Sequence, residues 1–325
     1  REQRLADVET RVAFLLQDHH AVALLREEDR GGRARGAAAD HDDVARLRFR
    51  GVVVILAQCF FRLWEREHCN VEFLMHENRP ANGPDAHAPI GSLPHYWSDE
   101  ASRRKFVDRL FDDTAGEYDF VERLLGLGRG PGYRRDALRR AGLAPGMRVL
   151  DRATGTGLVA REALGIVGAN GSVIGLDPSA GMLDEARGLH VPLVRALGER
   201  LPFPDDTFDF LSMGFALRHV SNLEMLLGEV RRVIKPAGTA CILELTRPQG
   251  AFAAASMKAF MTRVVPALAR LAGREGAGDL MRFYWDTIDA CVAPARVLAA
   301  FEAAGFANPR RVVTIGMFSE YVARK

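Results

Sequence analysis

Val149-Leu150-Asp151-Arg152-Ala153-Thr154-Gly155-Thr156-Gly157-Leu158-Val159-Ala160 is the stretch on which the fold turns. A short apolar run ends in a loop with two close glycines, and helix-forming residues follow. Glycine lets backbone approach a ligand closely at such a strand-to-helix turn. Taken literally, Gly155-x-Gly157-x-x-Ala160 also satisfies the dinucleotide fingerprint, so the loop alone separates nothing. Asp151 does separate the readings. A carboxylate at the strand end repels a pyrophosphate but suits a cationic ligand that carries an ammonium and a sulfonium.

Working outward, Asp177 closes the next apolar run, 20 residues beyond Gly157. An acid at the tip of a second strand accepts hydrogen bonds from both hydroxyls of a ribose. Met182 follows one turn into the next helix. Taken alone it is ordinary core; in register with Asp177 and the loop, it is placed to pack on adenine.

The flanking chain alternates short β-branched runs with helical patterns. Strands are predicted at Arg148–Asp151, Ser172–Asp177, Pro192–Arg195, Phe208–Gly214 and Thr239–Leu245. Helices are predicted at Leu158–Leu164, Ser179–Ala186 and Asn222–Ile234. That rhythm argues for a parallel sheet covered on both faces. Val312–Ile315 and Phe318–Ala323 are separated only by Gly316-Met317, a link short enough to require a hairpin and hence one antiparallel strand. The expected fold class is α/β, a doubly wound, mostly parallel seven-stranded sheet with a C-terminal antiparallel hairpin strand. Upstream of the loop, three amphipathic helices are expected. The first starts after a Ser98 cap, and the others cover Tyr118–Leu127 and Tyr133–Ala141.

The first methionine is Met75. Residues 1–74 are rich in Arg, Asp and His without clear period, and Met75–Pro94 has the proline-rich composition of a flexible leader. The expectation is therefore a natural start at Met75, an extension over 1–95, and a catalytic domain over 96–325; an unidentified N-terminal domain is the competing reading. Across all 325 residues, 44 basic and 42 acidic side chains leave a net charge of +2, so no global field recruits nucleic acid. Cys59, Cys69, Cys241 and Cys291 are scattered without metal-binding spacing, so no metal and a reducing, cytoplasmic setting are expected. The longest apolar run, Val52–Phe61, is too short for a bilayer, which needs about 20 residues.

Several motifs in order carry a resemblance: Phe111-Asp112-x-x-Ala115-x-x-Tyr118-Asp119, the glycine loop, and Gly175-Leu-Asp-Pro-Ser-x-x-Met182. Glu199-x-Leu201-Pro-Phe203-Pro, Phe215-Ala-Leu-Arg218-His219-Val220, Arg232-Val-Ile-Lys235-Pro-Ala-Gly238 and Leu243-Glu244-Leu-Thr-Arg-Pro248 complete the set. From about Phe106 to Val322 the chain resembles the ubiquinone/menaquinone-biosynthesis C-methyltransferases. The resemblance implies a class I methyltransferase fold, S-adenosylmethionine as cofactor, and a prenylated benzoquinol or naphthoquinol as acceptor. It places Asp151, Thr154, Gly155, Thr156, Gly157, Asp177, Met182, Leu197, Gly198 and Gly214 around the cofactor, with Tyr118 as a lid. Departures fall mainly on the acceptor side: Ala216 and His219 replace the Gly and Asn of the Phe-Gly-Leu-Arg-Asn element, and Gly316-Met-Phe-Ser-Glu-Tyr321 replaces an apolar run with a histidine.

A quinol carbon is a poor nucleophile until a neighbouring phenol loses its proton, so the site wants a proton acceptor and a cation. The expectation gives Arg218 the phenolate, and His219 or Glu244 the proton. The apolar segment 251–272, with a bend expected at Pro266, is open to two readings: packing against the sheet or a partner subunit in a homodimer, or peripheral contact with a membrane through Lys258, Arg263, Arg270 and Arg274. Other methyl acceptors, a nicotinamide-dependent oxidoreductase and a non-catalytic binding module are the remaining alternatives.

Overall fold

The computed structural model describes residues 88–325, apart from 91–92, 127, 198–199, 272 and 274–276. Residues 1–87 of the expected extension, the Met75 start among them, lie outside the described residues, as does Gly198. In chain order the elements are helices α1 (Glu100–Leu125) and α2 (Gly130–Arg140), strand β1 (Arg148–Arg152), α3 (Leu158–Val167), β2 (Ser172–Asp177) and α4 (Ala180–Ala186). Next come β3 (Leu193–Arg195), β4 (Phe208–Gly214), α5 (Leu223–Val233) and β5 (Ile234–Leu245). A helical excursion then holds α6 (Ala251–Ala259), α7 (Val265–Leu271), α8 (Ala277–Asp289) and α9 (Pro294–Ala303), before the hairpin β6 (Ala307–Thr314) and β7 (Phe318–Arg324).

The seven strands form one sheet in the order β3-β2-β1-β4-β5-β7-β6. Strands β3, β2, β1, β4 and β5 pair in parallel. β7 runs antiparallel to both β5 and β6, which makes it the single reversed strand. The Gly316-Met317 link explains this, since a turn that short can only reverse the chain. Val149, Leu150, Phe210, Leu211 and Ile242 are inaccessible, as strands covered by helices on both faces should be. On one face α5 and α9 pack through Leu226, Leu227, Val230 and Phe301; on the other, α2 and α3 pack through Leu138, Ala160 and Ala163. The chain order reverses beside β1, where the next strand lies at β2 and the following crossover leads to β4. Ligands bind at that switch point, beyond the carboxyl ends of the strands.

The helices ahead of the sheet depart from the sequence reading. Tyr118–Leu127 is no separate helix: α1 runs unbroken for 26 residues, because no proline interrupts it and a single mid-helix glycine, Gly116, costs only about 1 kcal/mol. Its cap is Asp99 rather than Ser98. The Asp99 carboxylate accepts from Ser102 N at 2.7 Å while Ser102 Oγ accepts from Asp99 N at 3.0 Å, a reciprocal capping box. The leader's last residues are also packed rather than loose. Ile90 and Leu93 are buried, Ile90 bridges to Cys291, and Val292 N donates to Pro89 O at 2.9 Å. Prolines there set an extended chain that the α8–α9 corner can bind. At the expected bend, the helix widens into a π turn over Phe260–Val264, immediately before Pro266, since Pro266 has no N–H to offer and its ring crowds the preceding turn.

Candidate active site

The cofactor loop leaves β1 at its carboxyl end. Ala153 (φ 51°), Gly155 (φ 56°) and Gly157 (φ 85°) are all left-handed, and Gly157 caps α3. A Cβ on Gly157 would sit 2.1 Å from Leu189 Cδ1, so both conformation and space demand glycine there. Carboxylates hold this loop and the turn after β2. Asp151 is inaccessible and accepts from Thr154 Oγ1 (2.7 Å) and Ser212 Oγ (2.6 Å). Asp119 on α1 accepts from Thr156 Oγ1 at 2.6 Å. Asp112, also on α1, accepts from Ser179 Oγ (2.5 Å) and Gly181 N (3.1 Å) at the start of α4. The Phe-Asp…Tyr-Asp element is thus a clasp that ties α1 to both cofactor-side loops. Sequence reasoning quoted this element without seeing that its two aspartates do the holding.

A pocket opens above β1, β2 and β4, with Gly155, Asp177, Met182, Leu197, Gly214 and Tyr118 among its walls. Asp177 is buried, and its two oxygens accept from Gly155 N and Ser179 N, each at 2.9 Å. Burial lifts its carboxyl, against those bonds, to a pKa of about 6. A buried acid at the strand tip, with no ion-pair partner among the described residues and lone pairs left for hydroxyls, fits a ribose. Met182 is buried and Leu197 exposed on the same pocket, supplying apolar surface where an adenine would lie. These residues fit S-adenosylmethionine. Asp151, Thr154 and Thr156 do not line the pocket; they shape the loop from behind. Asp151 therefore does not face a ligand as its position in sequence suggested, because Thr154 and Ser212 enclose it.

The acceptor-side expectations change most. Arg218 and Glu244 are brought together, but as a buried ion pair, 1% and 0% exposed, and neither lines the pocket. Arg218 Nε donates to Thr287 Oγ1 (3.1 Å) and its Nη1 to Phe215 O (3.0 Å), while Glu244 also accepts from Arg218 N and Leu245 N. Arg218 Nε and Nη1 are spent on these neighbours, and Glu244 is held by donors from two sides. The Arg218 guanidinium lies 4.9 Å from the ring centroid of Tyr284, and the Tyr284 and Tyr118 hydroxyls act on each other inside the fold. Tyr118 faces the pocket. Burial raises both phenols above their ordinary range.

His219 does line the pocket. Its ring stacks on Phe283 (5.6 Å) and meets Phe111 edge-on (5.2 Å). Nε2 is enclosed and, among the described residues, has no hydrogen-bond partner. Burial first, then the charges of Arg218 and Arg103, hold the imidazole well below its usual pKa, so it is neutral near pH 7. Arg103 is a further site residue that sequence did not single out. It is buried in α1 and donates to His219 O (3.1 Å), Ser221 Oγ (2.9 Å) and Glu100. Its only sequence signal was its place one turn before Phe106.

The profile of the ubiE/COQ5 methyltransferase family matches residues 98–325, from the start of α1 through β7. The chain belongs to this family. The ubiquinone/menaquinone biosynthesis C-methyltransferase UbiE of Geobacter sulfurreducens is 36% identical over 176 residues, covering 52% of this chain and 69% of the relative. The same enzyme of Pseudomonas paraeruginosa is 31% identical over 202 residues, covering 60% and 78%. A solved S-adenosylmethionine-dependent methyltransferase of Aquifex aeolicus, 23% identical, overlays with a TM-score of 0.43 across 59% of this chain and 88% of its own. The protein is an S-adenosylmethionine-dependent methyltransferase, and the nicotinamide alternative falls away. No helix among the described residues is long and apolar enough to cross a membrane.

Proposed function

We propose that this methyltransferase methylates a ring carbon of a prenylated benzoquinol or naphthoquinol. The observation that carries this reading is the make-up of the pocket's acceptor side: Tyr118, Phe215, Phe111 and His219 offer an aromatic wall with one neutral imidazole. Such a wall suits a flat, apolar ring with hydroxyl groups and disfavours a charged amine acceptor. The relatives' names point the same way.

When bound, S-adenosylmethionine supplies a methyl group made electrophilic by its sulfonium. Asp177 takes the two ribose hydroxyls, and the backbone of Gly155 and Gly214 gives close approach. Tyr118, fixed by Tyr284, closes one side of the pocket and keeps water from the reacting carbon. His219 Nε2, in the tautomer with its proton on Nδ1, accepts the hydrogen bond of an acceptor hydroxyl and so raises electron density on the adjacent carbon. Arg218 and Arg103 disfavour a second positive charge on the imidazole, so His219 polarises and orients the hydroxyl, and the proton leaves through water at the pocket mouth. The Arg218–Glu244 pair positions Tyr284 and through it Tyr118.

The outer face of α6 and α7 bears on where such an acceptor is met. Phe252 and Leu271 are 77% and 67% exposed. Residues 251–271 contain Lys258, Arg263 and Arg270 and no acid. An apolar and purely cationic face suits the surface of an anionic membrane in which a prenylated quinol resides.

The deciding assay is transfer of labelled methyl from S-adenosylmethionine by the full chain to reduced naphthoquinol and benzoquinol analogues with short prenyl tails. Label on a ring carbon is expected. Cofactor binding without transfer to either quinol would overturn the acceptor assignment.

A further inference from the structure

Helix α1 crosses the carboxyl ends of the strands and is pinned there by two acids. Asp119 holds Thr156 Oγ1, and Asp112 holds Ser179 Oγ and Gly181 N. Residues four apart share a helix face, so Asp108, one turn before Asp112, is turned toward the same strand ends. It lines the cofactor pocket and is half-buried. Asp112 is spent on the turn after β2. Asp108 accepts no hydrogen bond and joins no ion pair among the described residues, and its oxygens are not enclosed. An ionised carboxylate only accepts, through about four lone-pair sites, and these stand open at a pocket wall.

The charges around Asp108 show which part of the pocket it serves. Burial pushes its carboxyl up from the ordinary range; Arg104 opposes the rise, Asp112 adds to it, and Arg195 opposes it. Arg195 closes β3, two residues before Leu197, and donates to Pro178 O at 3.0 Å in the turn after β2. Asp177, at the tip of β2, feels the Asp108 charge. This is the β2–β3 side of the pocket, where Asp177 suits a ribose and Met182 and Leu197 offer apolar surface to adenine. The exocyclic amino group of an adenine needs an acceptor there. Ser179 Oγ is committed, donating to Asp112 and accepting from Met182 N. With Asp177 on the ribose, Asp108 is the acceptor left over among the described side chains on this side of the pocket.

We propose that Asp108 is a specificity-determining residue for the cofactor, its carboxylate accepting the hydrogen bond of the adenine 6-amino group. The Asp112 clasp fixes the helix turn that carries it. The chemical class it selects is a 6-aminopurine nucleoside. The assignment rests on the reading above that sets the cofactor's ribose at Asp177, and it is independent of the methyl acceptor.

The test is calorimetry on the full chain as wild type, Asp108→Ala and Asp108→Asn. The ligands are S-adenosylhomocysteine, its analogue with hydrogen in place of the 6-amino group, and its 2′-deoxy and 3′-deoxy analogues. Wild type should bind the analogue without the amino group about tenfold more weakly than S-adenosylhomocysteine, as loss of a charge-assisted hydrogen bond requires. Asp108→Ala should weaken S-adenosylhomocysteine by a similar factor and bind the two ligands alike within about twofold. Asp108→Asn, whose carbonyl still accepts but carries no charge, should fall between. The deoxy analogues should lose affinity by the same factor in all three proteins, since that contact belongs to Asp177. Unchanged S-adenosylhomocysteine affinity in Asp108→Ala would overturn the proposal. So would equal weakening of both ligands with the discrimination intact, or discrimination lost against a deoxyribose instead of the amino group. Deoxy analogues that bind wild type as tightly as S-adenosylhomocysteine, with the amino group still read through Asp108, would overturn the ribose role of Asp177 and keep the Asp108 contact.

Discussion

Replacing Arg218 by Met separates a positioning role from a reacting one. The substitution keeps most of the side chain's length but removes the charge. It strips Glu244 of its ion-pair partner inside the sheet and takes a donor each from Thr287 and Phe215 O. Breaking a buried pair by removing one partner costs about 3–5 kcal/mol. Glu244 keeps two backbone donors, Arg218 N and Leu245 N, which holds the expected loss toward about 3 kcal/mol, with the two orphaned acceptors adding up to about 1 kcal/mol each. Urea unfolding followed through buried Trp285 reads this directly. The double variant Arg218→Met, Glu244→Leu should recover most of the loss, because two apolar groups of similar size leave no buried charge. Turnover should fall with the displaced Tyr118, and the double variant should restore it in part. Arg218→Met with stability within about 1 kcal/mol of wild type and turnover reduced a thousandfold would refute the reasoning and return Arg218 to the reacting atoms.

Asp177 gives a pH signature. Its folded pKa of about 6 stands above the ordinary 3.8, so the folded state gains protons before the unfolded chain does. Its contribution therefore favours folding increasingly as pH falls from 6 toward 4. Cofactor binding needs the carboxylate and should weaken about tenfold per pH unit below 6; calorimetry between pH 5 and 8 checks it, and a flat profile in wild type would reject the ribose role. Asp177→Asn should bind weakly at every pH. Gly157→Ala should cost about 1–2 kcal/mol for left-handed strain, plus the clash with Leu189. Adding Leu189→Ala should relieve the clash but not the strain, so full recovery of cofactor affinity in the pair would contradict the backbone argument. Phe252→Glu should lower binding to phosphatidylglycerol vesicles tenfold or more without changing cofactor affinity; unchanged sedimentation with vesicles would remove α6 from the membrane surface.

The sheet was legible because its signals are local. Strand β1, the glycine loop and Asp177 sit in one short stretch, and the Gly316-Met317 link leaves a hairpin as the only geometry. The first helices were not, because a 26-residue helix and two shorter ones share one periodicity, and Gly116 reads equally well as a break or as a tolerated interior glycine. On the cofactor side Gly155, Asp177, Met182, Leu197 and Gly214 converge on the pocket. On the acceptor side, residue type suggested chemistry for Arg218 and Glu244, while their mutual pairing depends on β5 lying beside the turn after β4. Arg103 and Asp119 were missed for a related reason. Each draws its role from a partner more than ten residues away, and no periodicity announces that.

The register Leu245↔Phe318 sets the two ends of a 72-residue excursion side by side where the parallel part of the sheet meets its reversed strand. Everything that covers the acceptor side beyond β5, from α6 to α9, is strung between these neighbours. The entropy of closing such a segment grows only slowly with its length. The covering helices can therefore be lengthened, shortened or exchanged as one cassette without shifting β1, β2 or the glycine loop. Evolution can retune what this scaffold methylates by rewriting one insert, while the part that grips the methyl donor is inherited unchanged.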